Sequence, residues 1–306
     1  MKANHLNSND EFISLYKETK NVLKENGILL NKKLGQHYLI DDFKRKKILE
    51  YGDLNKKDTV LEIGPGIGTL TLQMSEKVKK VIAIEKDLKV YKILQKRIEN
   101  KNINNIELIN QDALKIDFPK FNKVISNLPY QISSPVTFKL LDYDFDFAIL
   151  MYQKEFANRM VAKVNEKNYS RLSAMLYFKC EILHLNDLSP ESFYPKPKIK
   201  SAVIKMSPKK IDNKKKDILD NQYKMVSRAL FQHKKKTVKN ALVDSRHELN
   251  YSDKKELNQI LTKLSKSNKT LDKYFKKKVI KMSPEEILDL SIDLKDIIER
   301  NNKKVK

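Results

Sequence analysis

Short apolar runs alternate with amphipathic segments along the first two thirds of the chain. The runs at 59–63, 81–85, 106–110, 123–126 and 145–151 read as strands. Helical spacing of apolar residues fits 42–51, 68–78, 87–100, 134–141 and 154–165, and a further helix over 11–25 follows a polar lead. A helix near 170–179 and strands at 180–185 and 201–206 complete the series. Strand and helix in alternation predict an α/β fold with a doubly wound, mostly parallel sheet of seven strands.

The pattern changes at Ser207-Pro208-Lys209-Lys210. Beyond it no strand is evident, and 217–231, 234–247, 253–265, 270–277 and 284–299 all carry helical spacing. Ser283-Pro284-Glu285-Glu286 is a helix start: serine as N-cap, proline at the first position, glutamate at the third. The expected organisation is an N-terminal extension over 1–30, an α/β domain over 31–206 and a smaller all-helical domain over 207–306, with no internal repeat.

Composition adds a partner class. The 306 residues include 62 Lys+Arg against 39 Asp+Glu, a net charge of +23, which favours a polyanion, nucleic acid ahead of an anionic membrane. A general bias toward Lys, Asn and Ile accounts for part of that charge but not for its bunching. Cys180 is the only cysteine, which excludes an internal disulfide and a cysteine metal site; its apolar surroundings suggest a buried thiol. The polar N-terminus lacks a signal core, and no run approaches the ~20 apolar residues of a membrane helix, so a soluble, cytoplasmic protein is expected.

Candidate chemistry gathers at strand ends. Of six glycines in the chain, Gly64, Gly66 and Gly68 fall within five residues, directly after Val60-Leu61-Glu62-Ile63. Glycine allows a sharp turn and close approach of a ligand. The spacing is not that of a pyrophosphate loop, and Pro65 interrupts it. A loop beneath a nucleoside that has no phosphate fits better, as in S-adenosylmethionine. Glu85 ends the next strand about 20 residues after the first glycine, where an acid accepts ribose hydroxyls; a solvated strand-end acid is the competing reading. Asp112 follows the third strand and suits either an adenine amine or a helix N-cap before Ala113-Leu114.

Asn127-Leu128-Pro129-Tyr130 closes the fourth strand. Asn127 offers a carbonyl acceptor, Pro129 holds Leu128 extended so that its carbonyl has a fixed direction, and Tyr130 offers a ring for stacking. That set suits an exocyclic amine on a flat base; the alternative is a strand ending in a proline turn.

Five ordered segments carry a family resemblance: Leu34 to Asp41, Glu62 to Thr71, Asn127 to Tyr130, Phe193 to Ser201, and Phe231 to Thr237. Together they resemble the ribosomal RNA adenine dimethyltransferases, in particular the small-subunit (KsgA-type) branch. The resemblance spans about residues 31 to 245 and implies a class I S-adenosylmethionine-dependent methyltransferase fold. It implies N6,N6-dimethylation of two adjacent adenosines in the 3′-terminal hairpin loop of small-subunit rRNA, on the immature small ribosomal subunit, by a monomer that needs no metal. By carry-over, His37 and Leu39 join Gly64, Gly66, Glu85, Asp112 and Asn127 at the cofactor. His37 stands where the family commonly has Asn. Phe193 becomes the wall opposite Tyr130, in competition with a core phenylalanine before a proline-rich turn.

The RNA surface is expected at Lys196, Lys198 and Lys200 and at Arg228, Lys234, Lys235, Lys236 and Lys239, since 224–239 contains no acid. A solvated charged face is the alternative. Competing functions are a large-subunit rRNA adenine methylase, a DNA adenine methylase and a ribosome-assembly factor without catalysis.

Overall fold

The computed structural model describes residues 14–28 and 37–297. Residues 11–13 of the first expected helix, Leu34-Gly35-Gln36 of the first motif and the end of the last expected helix at 298–299 lie outside the described residues. The chain divides into two compact units. The first runs through Lys154 and resumes over Leu185–Lys205; the second takes Glu155–His184 and the described chain from Met206 onward.

In the first part of the chain come α1 (Leu15–Glu25), β1 (Tyr38–Leu39), α2 (Asp42–Tyr51), β2 (Thr59–Ile63), α3 (Thr71–Ser75), β3 (Lys80–Glu85), α4 (Leu88–Asn100) and β4 (Ile106–Asn110). Then follow β5 (Lys123–Asn127), α5 (Ser133–Leu140), β6 (Phe147–Gln153), α6 (Lys154–Val161), α7 (Arg171–Lys179), β7 (Cys180–Leu188), β8 (Phe193–Tyr194) and β9 (Ser201–Pro208). The seven-stranded sheet has the order β4-β3-β2-β5-β6-β9-β7. From β4 to β6 every pair is parallel. Helices cover both faces of such a sheet, so its inner strands must be apolar throughout. Val60, Leu61, Val81, Val124, Ile125 and all of Ala148 to Tyr152 are accordingly sealed from solvent.

The order reverses between β2 and β5: β3 and β4 lie to one side, β6 to the other. Crossover connections diverge there and leave a crevice at the carboxyl ends of the strands. A second, two-stranded ribbon pairs β1 with β8, Tyr38 opposite Tyr194 and Leu39 opposite Phe193. Two residues per strand carry no periodic signal, which is why the sequence pattern does not announce this ribbon. The expected helix over 68–78 shrinks to Thr71–Ser75 because the glycine turn occupies its start.

The second unit is helical, with α8 (Asn213–Ile218), α9 (Lys224–Phe231), α10 (Val238–Asp244), α11 (Lys254–Ser267), α12 (Lys269–Lys276) and α13 (Pro284–Asp293). Ser283 and Glu286 form the expected reciprocal cap of α13. A single cut at 206 assigns 155–184 to the sheet domain, whereas the structure groups Glu155–His184 with these helices. Aromatic packing explains it. Phe178 meets Tyr223 edge-on at 5.6 Å, and the Tyr223 hydroxyl donates to the Ala174 carbonyl at 2.9 Å. The Tyr169 hydroxyl donates to the Met282 carbonyl at 3.0 Å. Cys180 is buried here, and burial pushes its thiol up to about 12.

Candidate active site

A cavity of about 330 Å³ opens at the reversal point, within the size range of small-molecule sites. The loop after β2, the ends of β3 and β5 and the turn after β4 all reach it: Gly64, Gly66, Glu85, Asp112 and Asn127 line one cavity, together with His37, Leu39, Leu128, Pro129 and Tyr130.

The glycines divide by role. All three adopt positive φ: 73° at Gly64, 59° at Gly66 and 91° at Gly68. A Cβ on Gly66 would lie 2.8 Å from the Tyr38 ring, and one on Gly64 would lie 3.0 Å from Pro129 Cδ. Both stand at the cavity. Gly68 faces away from it, against Leu94, where a Cβ would come within 2.5 Å of Cδ1. Its glycine serves packing.

The acids are held by backbone. Glu85 Oε2 accepts from Gly66 N at 3.2 Å and Oε1 from Asp87 N at 2.9 Å, which ties the acid to the glycine turn. Burial raises its pKa despite these bonds. Asp112 Oδ1 accepts from Leu114 N at 3.0 Å, and Oδ2 pairs with Lys86 at 2.9 Å. The Lys86 bond, then the Leu114 N–H, hold its pKa below the ordinary carboxylate value. It caps a turn rather than a helix and lines the cavity as well.

Asn127 has its amide orientation fixed. Its Nδ2 donates to the His37 carbonyl at 2.8 Å. A carbonyl only accepts, so the nitrogen must face His37 and Oδ1 must be the end turned away. His37 has the opposite constraint. Its Nδ1 lies 2.7 Å from the Pro195 carbonyl, so Nδ1 carries the proton and donates. The same ring stacks on Tyr130, centroids 5.8 Å apart and planes 30° off parallel. Tyr130 is anchored at its far end, its hydroxyl 2.6 Å from Ser201 Oγ. Burial raises the Tyr130 pKa, so it is a neutral phenol.

Phe193 stands apart from the residues at the cavity. It is 2% exposed, packs in the core with Leu39, Ile48 and Val203, and does not line the cavity. It sits opposite Leu39 in the pairing of β8 with β1.

The basic residues also separate. Lys198 and Lys200 are exposed, and Lys196 pairs with Glu191. Residues 232–235 form a turn instead of the start of a helix. Lys234 donates to the Lys167 carbonyl at 3.0 Å and reaches the Tyr169 carbonyl at 3.4 Å, so it is a structural tether. Arg228 pairs with Glu248, Lys236 with Asp244, and Lys239 donates to Thr262 Oγ1. The acid-free window of sequence thus meets acids contributed from further along the chain. Lys235 is exposed and has no ion-pair partner among the described residues.

Two groups escaped sequence reasoning. Glu62 lines the cavity, fully buried, with its Oε2 accepting from Thr71 Oγ1 at 2.6 Å; burial pushes its pKa up to about 8. The signal was available: an acid inside the apolar run Val60-Leu61-Glu62-Ile63 has no structural reason to be there. Ser201 offered only its place after the proline-rich segment. Among the described residues no cluster of three or more His, Cys, Asp or Glu could hold a metal ion, and no helix is long and apolar enough to cross a membrane.

Similarity to known proteins follows the same lines. The family model described as "Ribosomal RNA adenine dimethylase" matches residues 27–278. A protein of Methanosphaera stadtmanae named probable ribosomal RNA small subunit methyltransferase A is 53% identical over 277 residues, 90% of this chain and 97% of its own length. A protein of the same name from Methanothermobacter thermautotrophicus is 46% identical over 283 residues, 92% and 97% of the two chains. Among solved structures, a dimethyladenosine transferase from Plasmodium falciparum superposes with a TM-score of 0.70 at 29% identity, covering 85% of this chain and 98% of that one.

Proposed function

This chain belongs to the ribosomal RNA adenine dimethylase family, and on that premise we propose that it dimethylates N6 of two adjacent adenosines in the 3′-terminal hairpin loop of small-subunit rRNA. S-adenosylmethionine fits the cavity by chemistry. The turn at Gly64 and Gly66 brings backbone to the cavity wall, Glu85 and Asp112 are acceptors for hydroxyls and an amine, and Ile63, Leu70, Ile84 and Ala113 supply apolar walls. When bound, that cofactor supplies an electrophilic sulfonium methyl.

The chain's own task is to prepare the nucleophile. The lone pair of an adenine amine is delocalised into the ring. Acceptors that hold its N–H groups away from planarity return the pair to nitrogen and stabilise the cation that develops. The Asn127 amide, locked by the His37 carbonyl, is the observation that carries this reading. The Leu128 carbonyl is the second acceptor. Tyr130, braced by Ser201, presents a ring on which an extruded base stacks. Fixed placement of the amine is itself a rate contribution. An alkylated nitrogen is acidic enough to lose its proton without a dedicated base. Lys198, Lys200 and Lys235 are proposed phosphate contacts on the RNA.

The test is incubation of undermethylated small subunits with labelled S-adenosylmethionine, then mapping of the labelled nucleotides. Label on two adjacent adenosines near the 3′ end is expected. Label at other positions of the small-subunit rRNA, or no label, overturns the assignment.

A further inference from the structure

The helix α1 ends two residues before the family-matched segment begins, yet it is built against the cofactor loop. Leu15, Thr19 and Leu23, at successive four-residue spacing, form its buried face. Leu23 packs in one cluster with Tyr38, Ile67 and Ile93. Ile67 lies between Gly66 and Gly68, and Tyr38 is the residue whose ring abuts Gly66. Arg97 of α4 ties the assembly together: Nη1 donates to the Ile67 carbonyl at 2.6 Å, and Nη2 pairs with Glu18 of α1. Tyr16 meets Tyr194 edge-on at 6.0 Å, and Leu15 N donates to Asp42 Oδ2 at 3.2 Å. Glu18, Leu23 and Arg97 all lie outside the cavity lining.

Glycine loses more conformational freedom on ordering than any other residue, and this turn holds three of them at positive φ. If the turn is already ordered, that loss is not charged against ligand binding. We propose that α1 is a brace that pre-orders the Gly64–Gly68 turn, so that Glu18, Leu23 and Arg97 set cofactor affinity as positioning residues without touching the cofactor. This rests on the reading of the cavity as the S-adenosylmethionine site. Glu18 contributes by fixing the guanidinium. The guanidinium fork reaches the Ile67 carbonyl and the Glu18 carboxylate from two different nitrogens held in one plane, which fixes both partners.

The test uses the full chain and titration calorimetry with S-adenosylhomocysteine, which binds without methyl transfer. Glu18→Gln leaves the core untouched, since the Glu18 side chain is 39% exposed; Leu23→Ala is the second variant, and Leu23→Met its conservative rescue. Both disrupting variants are expected to bind about five- to tenfold more weakly, with faster amide exchange at residues 66–70. Affinity for an rRNA hairpin is expected to stay within about twofold of wild type, and Leu23→Met to restore cofactor affinity. Unchanged cofactor affinity in both variants overturns the brace. So does an equal loss of hairpin affinity, which would mark general destabilisation. Failure of the wild-type chain to bind S-adenosylhomocysteine overturns the cofactor reading itself.

Discussion

Asn127 and Glu62 show how single residues acquire function from what surrounds them. The asparagine's type and strand-end place were legible in the sequence, and its amide orientation was not, because the partner carbonyl lies 90 positions away. Asn127→Ala is expected to lower methyl incorporation at least about a hundredfold while calorimetric affinity for S-adenosylhomocysteine stays close to wild type. Glu62 has a pKa raised from 4.5 to about 8 by burial. The folded state therefore holds a proton that the unfolded chain releases. Stability from this group is fully present below pH 4.5 and is lost as pH rises through about 8. Glu62→Gln is expected to flatten the fall in stability across that window, read from urea denaturation at a series of pH values. A fall as steep as wild type would assign the pH dependence elsewhere.

At the scale of elements, the sequence pattern located the main strands and most helices, because burial on both faces of an inner strand leaves a run that little else produces. It failed where structure depends on distant partners. The β1–β8 ribbon joins Leu39 to Phe193, and the turn at 232–235 depends on the Lys234 tether. The glycine turn was read as a cofactor loop throughout, yet Gly68 is a packing glycine. Gly68→Ala is expected to lose about 1–2 kcal/mol from its backbone conformation and about 1–3 kcal/mol more from overpacking against Leu94. Gly27→Ala, also at positive φ but with nothing within 4 Å of the added Cβ, should show the first loss alone. Equal destabilisation of the two in urea melts would remove the packing role.

For the whole molecule, charge is the property that composition announced and the structure partitioned. A net charge of +23 gives long-range attraction to RNA, but many individual cations are engaged in holding the fold. Lys235→Gln is expected to reduce the salt slope of RNA affinity by about 0.7, the loss of one phosphate contact, without changing the melting temperature. Lys234→Gln should lower the melting temperature, because two carbonyls lose their donor. A reversal of these two outcomes would exchange their roles.

The interleaving of the two units also bears on how the protein is made. Strand β6 carries five consecutive residues, Ala148 to Tyr152, that are sealed from water in the finished sheet. Its neighbour on one side, β5, precedes it, but its neighbour on the other, β9, is not synthesised until after the whole Glu155–His184 segment of the other unit. On the emerging polypeptide β6 is therefore a bare apolar edge for some fifty residues of translation, about 3–10 s at ordinary elongation rates. Chains truncated in that interval would be adhesive to one another, and their yield should depend more on holding chaperones than that of the full-length product.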